Sequence, residues 1–364
     1  MGENEPQLWC LLGKKAGDNR QIKALADALE WPCEDKHIVA QPWELATNLG
    51  LGVTLAGIDR ANSSPLQPPW PDMVLTAGRR NEPVARWIRR QSGGLTRLVH
   101  IGRPWSPLLA WDLIVTTPQY FLPRWPNVRH NRLPLNNLSA SQLETAAASW
   151  QGRIADLPSP RIALLVGGDS GKFVFTKAKA SRLGRLANAL ANEAGGSILM
   201  TDSARTDVLA GDSLLAELTV PHHAHRWSRA QESEIENPYL AFLGLADAVI
   251  VTGESMSMLG EASVTGKPLY IFDMDDASEG VWHLPHSYRY KPITHRLAMR
   301  LAPRRMRRDV GNIQKALVQS DVARWLDEDT RLNVETLAHA GHGALCRQEL
   351  WATAQAVKQL LKGR

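Results

Sequence analysis

An α/β protein with two Rossmann-like, doubly wound domains facing a cleft is what this 364-residue sequence predicts, on three observations. The length suits about two domains, each able to bury a core of its own. Short apolar runs alternate with stretches of helical periodicity, in two consecutive series. The apolar runs end in glycine-bearing turns and read as strands covered on both faces, which is the pattern of a parallel sheet. The expected division is residues 1–152, residues 153–335, and a closing segment, 336–364. In that segment Leu350, Ala354, Val357 and Leu361 share a helical face suited to packing on the first domain.

In the first series Leu8–Leu12 reads as a strand that runs into Gly13–Asn19. A helix follows on Ile22, Leu25, Ala26 and Leu29. Asp72–Gly78, Leu98–Gly102 and Asp112–Thr116 are further strands, with a helix at Pro83–Ile88 whose proline suits a first turn. The alternation stops around Ser149–Pro160, where Leu157-Pro158-Ser159-Pro160 reads as a linker. The second series holds at least four strands, at Arg161–Val166, Ser197–Thr201, Ala248–Thr252 and Pro268–Phe272. Leu183, Leu186, Ala187, Leu190 and Ala191 mark an amphipathic helix between the first two.

Composition excludes several classes. Hydrophobic residues make up 44% and charged residues 22%, which removes disorder as an explanation. Cys10, Cys33 and Cys346 are odd in number and lack metal-ligand spacing, so they argue for a reducing compartment and against a disulfide framework or a zinc site. No run approaches a membrane span and no signal peptide is present, so a cytoplasmic protein is expected. Arg289, Lys291, Arg296, Arg300, Arg304, Arg305, Arg307 and Arg308 concentrate positive charge. They read either as a solvated face or as a contact for anionic lipid on the inner face of the cytoplasmic membrane; nucleic acid is not expected, for want of interleaved aromatics. Nine of the thirteen tryptophans lie in the first 150 residues, several beside proline, as at Pro42-Trp43. Most should anchor core or loops, and a minority can face an apolar acceptor.

Three constellations can carry chemistry. Thr252-Gly253-Glu254-Ser255-Met256-Ser257 follows a strand and opens a helix, so backbone N–H groups and a positive helix end suit a diphosphate. Glu261, about two turns in, can accept hydrogen bonds from ribose hydroxyls. Equally, Ser255 can merely cap the helix and Glu261 lie on its solvated face. Gly167-Gly168-Asp169-Ser170-Gly171-Lys172 also ends a strand, without the spacing of a Walker A loop. Arg205, after the next strand, can neutralise a phosphate with paired donors or stand as a surface arginine. Asp18, with Asn19, Arg20 and Gln21, crowds the first strand-to-helix turn, either as helix caps or as a catalytic base with acceptor-side groups. His222, His223 and His225 read as a polar loop rather than a metal site. Asp273, Asp275 and Asp276 follow a strand and can bind a divalent ion, but read rather as a loop rim or as groups that hold sugar hydroxyls.

In order, Gly17-Asp18-Asn19-Arg20-Gln21, Gly102-Arg103-Pro104, Thr117-Pro118-Gln119-Tyr120, Gly167-Gly168-Asp169-Ser170, Thr201-Asp202-Ser203-Ala204-Arg205-Thr206, Asn237-Pro238-Tyr239 and Val251–Met258 resemble the ELM-type mitochondrial fission family and its bacterial relatives. The resemblance implies a GT-B-like architecture, related to nucleotide-sugar glycosyltransferases and non-hydrolysing epimerases. It implies a donor-site role for Glu261 in Gly260-Glu261-Ala262. The sequence departs from the glycosyltransferase pattern at Glu254–Ser257, where a glycine-rich turn is usual, and from the family's Pro-x-His-Asp step at Pro118–Tyr120.

The reading reached is a metal-independent, cofactor-free glycosyltransferase acting on a lipid-linked or cell-envelope glycan. Gly167, Gly168, Ser170, Arg205, Thr252, Gly253, Ser255, Met256, Ser257 and Glu261 would bind the nucleotide-diphosphate sugar. Asp18 would be the base, and Asn19, Arg20, Gln21, Arg103 and Gln119 would lie on the acceptor side. Two alternatives stand beside it: an epimerase of the same fold, and a non-catalytic membrane-surface adaptor engaging lipid through Arg304, Arg305, Arg307 and Arg308.

Overall fold

The computed structural model describes residues 5–42, 52–171, 173–230, 236–274, 297, 300–332 and 342–362. Trp43, Lys172, Asp275, Asp276, Arg289, Lys291 and Arg296 lie outside the described residues. Contacts divide the chain into two compact units. Unit 1 holds Met1–Asn137, Pro303–Asp309 and Cys346–Arg364; unit 2 holds Leu138–Ala302 and Val310–Leu345.

Unit 1 contains a six-stranded sheet of β1 (Leu8–Leu12), β2 (Cys33–His37), β3 (Met73–Ala77), β4 (Arg97–Ile101), β5 (Leu113–Thr116) and β6 (Val128–His130). Every pairing is parallel and the order is β2-β1-β3-β4-β5-β6. Alternation of side chains along β1 feeds two cores. Leu8, Cys10 and Leu12 pack with Ile22, Leu25 and Leu29 of α1 (Ala16–Leu29), and with Ala354 and Val357 of the C-terminal helix His342–Gln359. Trp9 and Leu11 point the other way, to Val84 and Ile88 of α2 (Glu82–Gln91) and to Trp111. Each fully buried Leu or Ile here stabilises the fold by roughly 1.5–3 kcal/mol. Trp70 meets Trp9 and Trp87 edge to face, at 5.9 and 5.8 Å, so these tryptophans anchor the second core.

Unit 2 repeats the plan with a second parallel sheet: β7 (Arg161–Leu165), β8 (Ser197–Thr201), β9 (His222–His225), β10 (Ala248–Thr252), β11 (Leu269–Phe272) and β12 (Arg324–Trp325). Its order is β12-β11-β10-β7-β8-β9. The order of strand addition therefore reverses between β7 and β10, as it does between β1 and β3 in unit 1. Such switch points, at the carboxyl ends of the strands, are where open α/β sheets leave a crevice. Beside the second sheet lie α3 (Ala140–Trp150), α4 (Lys177–Glu193), α5 (Val208–Leu215), α6 (Tyr239–Leu245), α7 (Met256–Val264) and α8 (Gly311–Gln319). Gly244 of α6 lies against the Leu143 carbonyl of α3, leaving no space for a Cβ. Ser139 and Gln142 form a reciprocal capping box at the start of α3.

The two doubly wound α/β units match the expected fold class, and every strand read from a continuous apolar run is present. One assignment is corrected. His222, His223 and His225 belong to strand β9, not to a polar loop. The strand sits at a sheet edge, where only one side of the backbone is paired and a continuous apolar sequence is not needed. Among the described residues no helix is long and apolar enough to cross a membrane.

Candidate functional site

In unit 2 the turns after β7 and β10 meet at the switch point. The Gly167 N–H donates to Thr252 Oγ1 at 2.8 Å, which ties the two turns together. The Ser203 hydroxyl, beyond β8, donates to the Gly167 carbonyl. Gly168, at φ +96°, pairs as a bridge with Arg205, and a Cβ there would lie 2.4 Å from the Arg205 carbonyl oxygen. Gly253 is equally enclosed: its N–H donates to Phe272 O at 3.0 Å and its carbonyl accepts from Gln314 Nε2 at 2.6 Å. These glycines bring three stretches of backbone into contact at the ends of the strands.

Arg205 is half-buried and donates to the Asp169 carbonyl at 2.8 Å. Its second terminal nitrogen lies 3.5 Å from Oε1 of Glu254. Glu254 is fully buried, and among the described residues its Oε2 has no hydrogen-bond partner. Burial pushes its carboxyl up to about 7, against the opposing pull of the Arg205 guanidinium. A Cβ on Gly167 would fall 2.0 Å from Glu254 Oε1, so the missing side chain at 167 is the space that Glu254 fills. The loop carrying Arg205 is pinned from below. Arg226 Nε donates to Asp202 at 2.5 Å with both side chains buried, and Asp202 also accepts from Trp227 N at 2.6 Å. At the far end Asp207 caps α5.

Ser255 is buried and makes no side-chain cap, and Met256 is buried behind it; Ser257 is half-buried. Glu261 does not lie on a solvated face. It is buried, and its Oε2 accepts from the Tyr239 hydroxyl at 2.5 Å. Ser170 closes a tight turn with Phe173 through two 3.0 Å backbone bonds. Gly167, Gly168, Arg205, Thr252 and Gly253 thus converge around Glu254. Glu261 is linked instead to Tyr239, at the start of α6.

Unit 1 has its own site at its own switch point. A cavity of about 200 Å³ is lined by Lys15, Asp18, Gln21, Arg79, Arg103, Trp105 and Gln119 among others. Asp18 leans on Gly78, the φ +71° turn after β3, and lies 4.0 Å from Lys15 Nζ. Arg79 lies over the Trp105 ring at 4.3 Å. The loop carrying Arg103 and Trp105 is held by Glu82, whose carboxylate accepts from Trp105 N and Ser106 N, both at 2.8 Å. Burial pushes the Glu82 carboxyl up, and those backbone donors oppose the shift. Behind it His100 is wholly buried, and burial depresses its pKa to about 3, so it stays neutral. Arg103 spans the Tyr120 ring at 5.3 Å and donates to the carbonyls of Met306 and Arg307. Gln119 accepts from Arg308 Nε at 2.8 Å, and Arg304 lies over Phe121 at 5.7 Å.

Asp18, Gln21, Arg103 and Gln119 are therefore gathered around one cavity. Asn19 is turned to its own loop, accepting from Gly13 N at 2.9 Å and donating to Gly13 O at 2.7 Å. Arg20 is exposed and does not line that cavity. Sequence reasoning missed Glu254, Tyr239 as the partner of Glu261, and Arg79 with Trp105. An acid directly after a strand-end glycine was the available signal for Glu254.

A family model described as mitochondrial fission ELM1 matches residues 16–344. The Arabidopsis thaliana mitochondrial fission protein ELM1 is 27% identical over 287 residues, 71% of this chain and 66% of that protein. A Rickettsia prowazekii (strain Madrid E) protein, RP120, is 25% identical over 235 residues, 56% of this chain and 64% of that one. Alignment to this chain thus spans slightly less than two thirds of each relative. Among solved structures, a glycosyltransferase of Rickettsia africae ESF-5 superposes over 100% of both chains, with a TM-score of 0.50 and 11% identity. That likeness, with the two parallel sheets, shows the two-domain GT-B type of fold.

Proposed function

This chain belongs to the mitochondrial fission ELM1 family, and on that premise we propose that it is a GT-B glycosyltransferase that takes a nucleotide-diphosphate sugar in unit 2. The observation that carries the reading is the convergence of the Gly167-Gly168 and Thr252-Gly253 turns with Arg205 at the switch point of the second sheet. The N-terminal end of α7 and the Arg205 guanidinium supply positive charge for a diphosphate. Ser170, in the turn after β7, and Ser257, in the first turn of α7, add hydroxyl donors. Glu261, oriented by Tyr239, accepts from the ribose.

In unit 2, as the bond from the sugar carbon to the diphosphate gives way to one from an acceptor hydroxyl oxygen, Arg205 with the N-terminal end of α7 receives the charge that leaves. In unit 1, Asp18 is the carboxylate assigned to accept a hydroxyl proton. The cavity of unit 1 favours an acceptor that is itself acidic, because Lys15, Arg79 and Arg103 outnumber Asp18 there, while Trp105 offers a flat face to a sugar ring. A lipid-linked glycan carrying a phosphate fits that description. Arg304 and Arg308 are engaged with Phe121 and Gln119, so this reading assigns them to shaping unit 1 rather than to holding a membrane.

The test is thermal stabilisation by nucleoside diphosphates and their sugars, in wild type and in Glu261→Ala. Stabilisation of the wild type that is weakened at least tenfold in affinity by Glu261→Ala is expected. If no nucleotide raises the melting temperature of the wild type, the donor site is lost as an idea. Turnover of a bound sugar nucleotide without any acceptor would assign an epimerase instead.

A further inference from the structure

We propose that Cys10 and Cys33 form a redox-modification site, a dithiol that a small-molecule disulfide converts into an internal disulfide bond. Cys10 lies mid-strand in β1 and Cys33 opens β2 at the edge of the sheet of unit 1. The strands are parallel with Leu8 opposite Cys33 and Cys10 opposite Asp35, so the two thiols lie diagonally across the ladder. Their sulfurs are 3.0 Å apart. A disulfide needs about 2.05 Å, so closing the bond asks for a movement of about 1 Å.

The two cysteines differ in the way an exchange reaction requires. Cys33 is exposed and Cys10 is buried. The hydrogen bond from Cys10 lowers the pKa of Cys33, burial opposes this, and the nearby Lys23 ammonium lowers it further; Asp35 and Asp27 oppose Lys23. Cys10 is pushed up, chiefly by the same contact and by burial. Cys33 is therefore the thiol that reacts first and Cys10 the one that resolves. The Cys33 thiolate attacks one sulfur of a disulfide such as oxidised glutathione, and the first glutathione leaves as thiolate. As the Cys10 sulfur attacks Cys33 Sγ its proton passes to the departing glutathione sulfur, and the second glutathione leaves as a thiol. Two protein thiols are oxidised and one glutathione disulfide is reduced to two thiols, a two-electron exchange.

Among the described residues Cys10, Cys33 and Asp35 are also a group whose donor atoms lie within 4.8 Å of one another. A cation there would have to displace Lys23, whose Nζ is already 3.0 Å from Asp35 Oδ1. The ammonium beside the thiols favours thiolate chemistry over a metal.

The full-length protein is incubated with oxidised glutathione and digested without reduction. The wild type should lose the mass of two hydrogens and yield a peptide linking Cys10 to Cys33, reversed by dithiothreitol. Cys10→Ser should instead accumulate glutathione on Cys33, because nothing resolves it. Cys33→Ser, at an exposed edge position, should leave Cys10 unmodified. Persistent glutathione on Cys33 of the wild type, or a link only through Cys346, would overturn the proposal. So would protection of both thiols by equimolar zinc, which would assign a metal site.

Discussion

The two units carry the same kind of sheet and opposite chemistry at its switch point. In unit 2 the turns are sealed: Gly167, Gly168 and Gly253 each touch another segment so closely that no Cβ fits, and a carboxylate lies buried beneath them. In unit 1 the corresponding turn leaves a cavity of about 200 Å³, bordered by cations and an aromatic ring. Its buried ionisable pair, Glu82 and His100, sits behind the cavity wall, where it fixes a loop. Parallel topology thus supplies the location, while the residues after each strand decide how closely the turns there pack.

The sharpest way to break the contrast is to put the same methyl group in both turns. Gly168→Ala should lower stability by roughly 3 kcal/mol or more, because the new Cβ meets backbone atoms of Arg205 and Thr206 at a positive φ. Gly78→Ala also has a positive φ, yet meets only the movable carboxylate of Asp18, and should cost about 1–2 kcal/mol. Denaturant unfolding of the two variants compares them, and equal losses would remove the distinction between sealed and open turns.

The next effect is a pH dependence. Glu254 has a folded pKa of about 7 against an ordinary 4.5, so the folded state keeps its proton where the unfolded state has lost it. Stability must then fall as pH rises from about 4.5 to 7, by up to roughly 3 kcal/mol for a group this buried. Glu254→Gln should remove that slope and be the more stable protein at pH 8. His100 works in the opposite sense. Its depressed pKa means that stability is lost as pH falls below about 6.5, where the unfolded chain takes up the proton first. A single stability profile therefore has its falling limbs set by different units, and Glu254→Gln should flatten only the upper one. Smallest of all, Arg103→Ala should cost about 1 kcal/mol and raise hydrogen exchange at residues 303–309, where Arg103 donates to the carbonyls of Met306 and Arg307.

Legibility in the sequence followed the same division between buried and edge. β1, β3, β7 and β10 are apolar on both faces, and periodicity alone exposed them. β2, with the sequence Cys-Glu-Asp-Lys-His, and β9, with His-His-Ala-His, are edge strands held by backbone bonds to one neighbour, and nothing in their composition marks them. The glycine turns of unit 2 were visible because they end apolar runs. The role of Glu254 was not, since it depends on the side chain absent at Gly167, far away along the chain. Likewise Asp18 was visible at its turn beside Lys15, but Arg79 and Arg103, which share its cavity, come from loops after β3 and β4.

Pro303–Asp309 and Cys346–Arg364 complete unit 1 after nearly all of unit 2 has been laid down. On a ribosome the order of completion is therefore the reverse of the order of synthesis. The first sheet must wait, its α1 face still lacking Ala354 and Val357, until the last helix emerges. The second unit can close around its own strands before the first is finished. A truncation near the C-terminus would accordingly injure the N-terminal sheet, and a fragment ending at Asn137 would present an uncovered apolar face to whatever meets it.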